Sequence, residues 1–308
     1  MAKARDLLAR AVKTLKASSA IDHWQSDREE IESEELLAFA MGVDVQDLDP
    51  EDEVPARAVR RFQAMVARRG RGEPVQFIEG YAEFRGIQLI AKPGVFVPRD
   101  STEFLAEQAV RRLRGRRRAI AVDLATGGGT VALAVANETR GVKVVGTDVS
   151  SRAIRVARQN AARLKLRATF VTGNLFGGLP KDLKGKVDVI TFHPPYVGRR
   201  ELRELPDEIR RFEPAHTLTD NSLDGLGLVD RAAAEAGQWL KPGGWLLIEV
   251  SPDRARAVAT VVRRHGLRHV RSTAGGELKV TRVVVGRRGG TLPPPPHVTS
   301  GRWSRVSA

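Results

Sequence analysis

The chain has 308 residues, 42% of them hydrophobic, with a formal net charge of +14 and no cysteine. That length supports one large core and a smaller one, and the missing cysteines exclude disulfides and thiolate metal sites. No apolar run reaches the roughly 18 residues of a membrane-spanning helix, and the basic N-terminus lacks the apolar stretch of a secretory signal, so a cytoplasmic protein without membrane contact is expected.

Residues 1–72 are expected to form a small helical domain. "ARDLLARAVKTL" carries apolar residues at helical spacing. "SDREEIESEELLAFAMG" offers Ser26 as an N-cap, acidic residues in its first turns and Gly42 as a stop. "VPARAVRRFQAMVARRGRG" is a third helix ended by glycines. Residues 73–100, with short β-forming runs broken by glycine and proline, read as a β-hairpin linker.

From residue 101 to 288 apolar strands alternate with amphipathic helices. "RAIAVDLA", "VKVVGTDVS", "RATFVTGN", "KVDVITFHPPY" and "WLLIEVS" read as strands. "STEFLAEQAVRRLRG", "GTVALAVANET", "SRAIRVARQNAARLK", "GLVDRAAAEAGQWLKPGG" and "DRARAVATVVRRHGL" read as the helices between them. Two further β-type runs, "RHVRSTAG" and "LKVTRVVVGRR", close the series. Continuous apolar strands separated by helices specify an α/β, doubly wound, Rossmann-like sheet buried on both faces. Residues 289–308 are rich in Pro, Gly and Ser without apolar period, the composition of a flexible tail.

Charge is uneven. Residues 1–60 hold eight Lys and Arg against fourteen Asp and Glu, and the remainder carries a net +20. Such an excess suits either an arginine-rich surface or steering of an anionic partner such as RNA or a ribosome. The densest cluster, "RRLRGRRR" at 111–118, has no interleaved aromatic side chains. It offers phosphate contact rather than base stacking.

The chemistry concentrates at strand ends. "AVDLATGGGTVALAVA" sets a glycine turn between a strand and a helix, where backbone can approach a ligand. It lacks a full GxGxxG, because Ala125 fills the first glycine slot. Asp123 ends the first strand. Asp148 ends the second and can take both hydroxyls of a ribose. Asn174 follows the third and can meet an adenine edge. Either of the last two alone would also serve as a cap of the next turn. Together, at the carboxyl ends of successive strands, they point to a nucleoside ligand. No metal is expected. The fourth strand ends in His193-Pro194-Pro195-Tyr196, where the prolines fix the backbone and donate no N–H.

The succession "DLATGGGTVALA", "GTDVSSRAIRVARQNA" and "HPPYVG" resembles class I S-adenosylmethionine-dependent methyltransferases. With "EPVQFIEGYAEFRG", "PGVFVPRDSTE", "LPDEIRRFEP", "DGLGLVDR" and "LKPGGWLLIEV", residues 1–285 resemble the HemK/PrmC family. These are protein-(glutamine-N5) methyltransferases that act on the GGQ loop of peptide release factors. The resemblance implies a seven-stranded mixed sheet and S-adenosyl-L-methionine as cofactor. It implies that Asp123, Thr126, Gly127 and Gly129 surround the methionine part, Asp148 the ribose and Asn174 the adenine. Phe96, Pro98 and Arg99 would form a lip, and His193, Pro194 and Tyr196 would position the acceptor.

The sequence departs from the family pattern at three places. His193 replaces the Asn of NPPY, Asp100 and Ser101 replace two residues of RPETE, and Ala125 replaces a glycine. An Asn offers an acceptor oxygen and two N–H donors, whereas a neutral imidazole has one acceptor and one donor. Histidine also moves protons near neutral pH. Four readings follow. The first is methylation of a glutamine amide, or a related nitrogen, in a protein such as a release factor. The second is N- or O-methylation of a small molecule or peptide with His193 as base. The others are methylation of a nucleic-acid base and a non-catalytic RNA-binding module.

Overall fold

A computed structural model describes residues 2–23, 25–275 and 280–290. Of the tail expected over 289–308, all but Gly289 and Gly290 lies outside them. The chain starts with a short strand β1 (Ala2–Lys3), then helices α1 (Ala4–Lys16) and α2 (Arg28–Met41). Strand β2 (Glu53–Val54) pairs with β1, and α3 (Ala56–Arg69) follows. Helix α1 buries Ala4, Leu7, Ala11 and Leu15, one face at helical spacing, against Leu36 and Leu37 of α2 and Phe62 of α3.

Helix α2 stops at Gly42, whose φ of 77° closes its last turn. Its start is not at the expected Ser26. The cap position is Asp27, whose side chain makes no capping bond, and the acidic Glu29 and Glu30 face the N-terminal dipole instead.

The stretch from 73 to 100 holds more than a hairpin. Pro74 and Gly80 bracket a short helix α4 (Val75–Glu79), and Val75, Phe77 and Ile78 bury there. Its β-forming residues disguise it in the sequence. The hairpin is β3 (Tyr81–Phe84) and β4 (Ile87–Ile90). Its two-residue turn, Arg85-Gly86, has positive φ at both positions (46° and 71°), which matches the twist of the flanking strands.

The large domain continues with α5 (Glu103–Leu113), β5 (Ile120–Leu124), α6 (Thr130–Glu138), β6 (Lys143–Asp148), α7 (Ser151–Arg163), β7 (Ala168–Thr172) and β8 (Val187–Phe192). Two short helices, α8 (Asp207–Phe212) and α9 (Ala215–Leu218), lie in the long connection to α10 (Gly227–Trp239). Then come β9 (Leu240–Val250), α11 (Ala255–Arg264), β10 (Arg268–Gly275) and β11 (Thr281–Arg287). Strand β9 begins earlier than the sequence suggests. "LKPGG", expected at the end of a helix, joins the sheet through Leu240 opposite Val187, with an irregularity in register before Val189 pairs with Trp245.

Seven strands form one sheet in the order β10-β11-β9-β8-β5-β6-β7. The five from β9 to β7 run parallel, and β11 and β10 are antiparallel. Both faces of the inner strands are buried. Leu246 and Ile248 of β9 pack with Phe192 and Val258 on one side, while Leu247 packs with Leu105, Leu133 and Val283 on the other. Chain order reverses at β5, which lies between β6 and β8, so a crevice opens at the carboxyl ends of these strands. Among the described residues no helix is long and apolar enough to cross a membrane.

The arginine cluster at 111–118 is not one phosphate-facing surface. Arg112 is buried, donates to the carbonyl and side chain of Gln108, and lies 4.8 Å over the Trp245 ring. Burial pushes its guanidinium down to about 10. Arg116 pairs with Asp188 at 3.5 Å. Arg111, Arg114, Arg117 and Arg118 remain exposed.

Candidate active site

One crevice of ≈ 1010 Å³, open to solvent, lies over the switch point of the sheet. Its floor is the turn after β5. Ala125, Gly127 and Gly129 all have positive φ, at 52°, 55° and 88°, and these reversals turn the backbone sharply into α6. Asp123, fully buried, receives the Thr126 hydroxyl at 2.6 Å and the Thr191 hydroxyl at 2.7 Å. Burial pushes its carboxyl up to about 6, against the pull of those hydroxyls. Asp123 therefore braces the turn from beneath, although it also borders the crevice.

Ala125 adopts a conformation that costs an L residue about 1 kcal/mol. Ala125→Gly is expected to raise the unfolding free energy by up to that amount, read by urea titration; no change would mean that the turn carries no strain.

Asp148, at the end of β6, faces the turn. Its Oδ2 receives the Gly127 N–H at 2.9 Å and its Oδ1 the Ser150 N–H at 2.8 Å. Burial pushes this carboxyl up, and the two backbone donors oppose the shift. Each oxygen retains an acceptor site. Asn174, exposed after β7, and the exposed apolar Val149 border the same space. Phe96, Pro98 and Arg99 form the facing lip, with the Arg99 guanidinium 5.3 Å over the Phe96 ring and paired to the buried Glu213. His193 and Pro194 close the remaining side.

Two expected site residues lie elsewhere. Gly129 does not border the crevice. A Cβ there would sit 3.0 Å from both Leu133 and Phe170, so its glycine serves helix packing, and Gly128 takes its place on the wall. Tyr196 does not border it either. Its ring lies behind His193, centroids 5.9 Å apart, and its backbone bridges to Thr219. Burial pushes its phenol up to about 12, so it is no base at neutral pH.

Sequence reasoning missed Asn160. This fully buried side chain on α7 donates to the Gly128 carbonyl at 3.0 Å and accepts the Ile90 N–H at 2.7 Å. It ties the glycine turn to the hairpin. The visible signal was an amide on the apolar face of an amphipathic helix. Asn160→Leu strands two buried backbone groups, so thermal unfolding should show a loss of about 2 kcal/mol or more; a loss under about 0.5 kcal/mol would show that the groups find other partners.

The residues fit S-adenosylmethionine. A Cβ at Gly127 would meet nothing within 4 Å, so the turn leaves open space there for a ligand. A carboxylate for a diol, an amide for a purine edge and an apolar wall stand around it.

Comparison with known proteins agrees. Residues 6–80 match the PrmC N-terminal domain and residues 86–208 the methyltransferase small domain. The chain is 34% identical over 267 residues to the release factor glutamine methyltransferase of Geobacter sulfurreducens, covering 84% of this chain and 89% of that relative. It is 37% identical over 226 residues to that of Bordetella pertussis, covering 73% and 81%.

The chain belongs to the release factor glutamine methyltransferase family.

Among solved structures, the release-factor-specific protein-(glutamine-N5) methyltransferase of Alicyclobacillus acidocaldarius is 25% identical, with a TM-score of 0.38, covering 63% of this chain and 94% of that one. As a member of this family the protein is an S-adenosylmethionine-dependent methyltransferase with the class I fold. The family's N-terminal domain here is the bundle of α1, α2 and α3. It is fastened to the large domain by Glu208 of α8, which pairs with Arg28 at 2.8 Å and with the fully buried Arg69 at 2.8 Å.

Proposed function

We propose that the protein transfers the methyl group of S-adenosylmethionine to the side-chain amide nitrogen of a glutamine in a peptide release factor. One observation carries this reading. The likeness to release factor glutamine methyltransferases spans the helical N-terminal domain as well as the catalytic sheet, at 34% identity over 84% of the chain. A shared catalytic sheet alone would specify only methyl transfer.

Bound S-adenosylmethionine supplies an electrophilic methyl carbon on a sulfonium. The chain's residues do the rest by positioning. Asp148 would hold the ribose hydroxyls, Asn174 the adenine edge, and Thr126 and Gly127 the methionine part. Phe96, Pro98 and Arg99 would face the bound cofactor from the lip. An amide nitrogen is a poor nucleophile and must be held with its lone pair toward the methyl carbon. His193 accepts one amide N–H, and a carbonyl of the proline segment accepts the other. As the N–C bond forms, the amide nitrogen loses a proton, which the His193 imidazole beside it takes. One His nitrogen thus supplies both the hydrogen-bond acceptor and the base.

The test is incubation with purified release factors and S-adenosylmethionine carrying a labelled methyl group. Label in the release factor protein is expected. Label in RNA or in small molecules, with none in the release factor, would replace this reading with the corresponding rival.

A further inference from the structure

Glu249 lies near the end of β9, buried to 2% exposure, directly behind the acceptor loop. Three hydroxyls converge on one of its oxygens. Oε1 accepts from Thr281 at 3.1 Å, Thr102 at 3.2 Å and Ser101 at 3.4 Å. The other oxygen, Oε2, is buried with no hydrogen-bond partner and lies 3.8 Å from Nδ1 of His193. That nitrogen is also 3.4 Å from the Thr102 hydroxyl oxygen. Two departures from the family pattern, Ser101 and His193, thus meet at one carboxylate.

We propose that Glu249 is a positioning residue that holds the His193 proton on Nδ1 and leaves Nε2 as the lone-pair nitrogen that meets the substrate. This rests on the reading of His193 as the acceptor-loop contact.

Electrostatics selects this tautomer. A buried carboxylate oxygen without a donor is costly, and the imidazole N–H is the donor at hand. The opposite tautomer would set the Nδ1 lone pair against the carboxylate and present an N–H to the substrate's own N–H groups. The ring has little freedom to evade this choice. Phe96 packs edge-on at 5.4 Å and 89°, and Tyr196 stacks at 5.9 Å and 29°. The separation of 3.8 Å closes to a hydrogen bond with a small ring rotation, the usual state of such contacts before substrate arrives.

In the transfer step the methyl carbon–sulfur bond breaks to leave a neutral thioether. The amide nitrogen–carbon bond forms, and the amide proton moves to Nε2. The positive charge of the sulfonium ends on the imidazolium, beside Glu249. Among the described residues, Glu213, in the connection after α8, also interacts with His193, but it is paired to Arg99 of the lip. Glu249 is therefore the carboxylate placed to receive that charge.

The test is NMR of the full chain labelled with 15N in histidine, with the His193 signals assigned by their loss in His193→Asn. The wild type should carry the proton on Nδ1 at neutral pH. In Glu249→Gln the new amide donates to Nδ1, so the proton should move to Nε2. In methyl transfer, E249Q should lower kcat about 100-fold, with the cofactor Kd unchanged. In the H193N background, where an Asn oxygen accepts regardless of Glu249, E249Q should have little further effect. A proton on Nε2 in the wild type, or the same tautomer in both proteins, would overturn the proposal. The spectra need no substrate, so they decide the role of Glu249 even if the release factor is not the acceptor.

Discussion

Replacing Arg69 by Met should lower the unfolding free energy by about 3 kcal/mol and loosen the contact between the helical N-terminal domain and α8. Arg69 is fully buried, and its Nε and Nη2 reach Glu32 on α2 at 2.6 Å and Glu208 on α8 at 2.8 Å. The methionine fills much of the volume but leaves two carboxylates without that partner. Arg28, also on Glu208 at 2.8 Å, limits the damage.

The pH dependence identifies the cause. Burial pushes the Glu208 carboxyl up, but the guanidinium groups of Arg28 and Arg69 more than reverse this, so it lies below its ordinary 4.5. A carboxyl with a lowered folded pKa contributes stability above its unfolded value and loses it as pH falls through the folded value. The wild type should therefore lose stability as pH falls below about 4.5, and the variant should lose less over the same window. Urea titrations at neutral and acid pH read both effects. Equal acid slopes would mean that the buried pairs do not govern the clamp. Because α8 sits in the connection that follows the acceptor loop, kcat should fall in R69M while cofactor affinity holds.

Asp148→Ala should weaken S-adenosylmethionine binding at least 100-fold, about 3 kcal/mol, by isothermal calorimetry. A ribose diol offers two donors to one carboxylate, each charge-assisted. The side chain also holds the Gly127 N–H, so its loss frees the glycine turn as well. Burial pushes the Asp148 carboxyl above its ordinary 3.8. Cofactor affinity should accordingly decline as pH drops toward that raised value, because the neutral acid keeps only part of the acceptor capacity. A variant that binds within threefold of wild type would show that the ribose is held elsewhere.

The parts of the site legible in the sequence are those fixed by local rules. Asp148 and Asn174 follow strands whose apolar runs are unmistakable, and strand ends in a doubly wound sheet face one crevice. The glycine turn is visible because Gly127 and Gly129 take positive φ, yet the sequence does not say which glycine meets ligand. Gly129 is glycine because Leu133 and Phe170 crowd it. Tyr196 looks like a site residue from its neighbours, but its ring supports His193 from behind.

Long-range pairs were illegible. Glu249 reads as one polar residue in an apolar strand, and its partner Ser101 is 148 residues away. Arg69 looks like the basic end of an amphipathic helix, and its partner Glu208 is 139 residues away. The helix α4 and the early start of β9 were hidden because Pro74 and Pro242-Gly243 punctuate sequence without saying which element they open.

Mass spectrometry of a treated release factor distinguishes a glutamine acceptor from every other. Incubated with this protein and S-adenosylmethionine, the release factor should gain one methyl group, and fragmentation should place it on the side-chain amide of the glutamine in the GGQ loop. A methyl group on any other residue, or an unmodified release factor from enzyme that demonstrably binds the cofactor, would rule out the release factor glutamine as the acceptor.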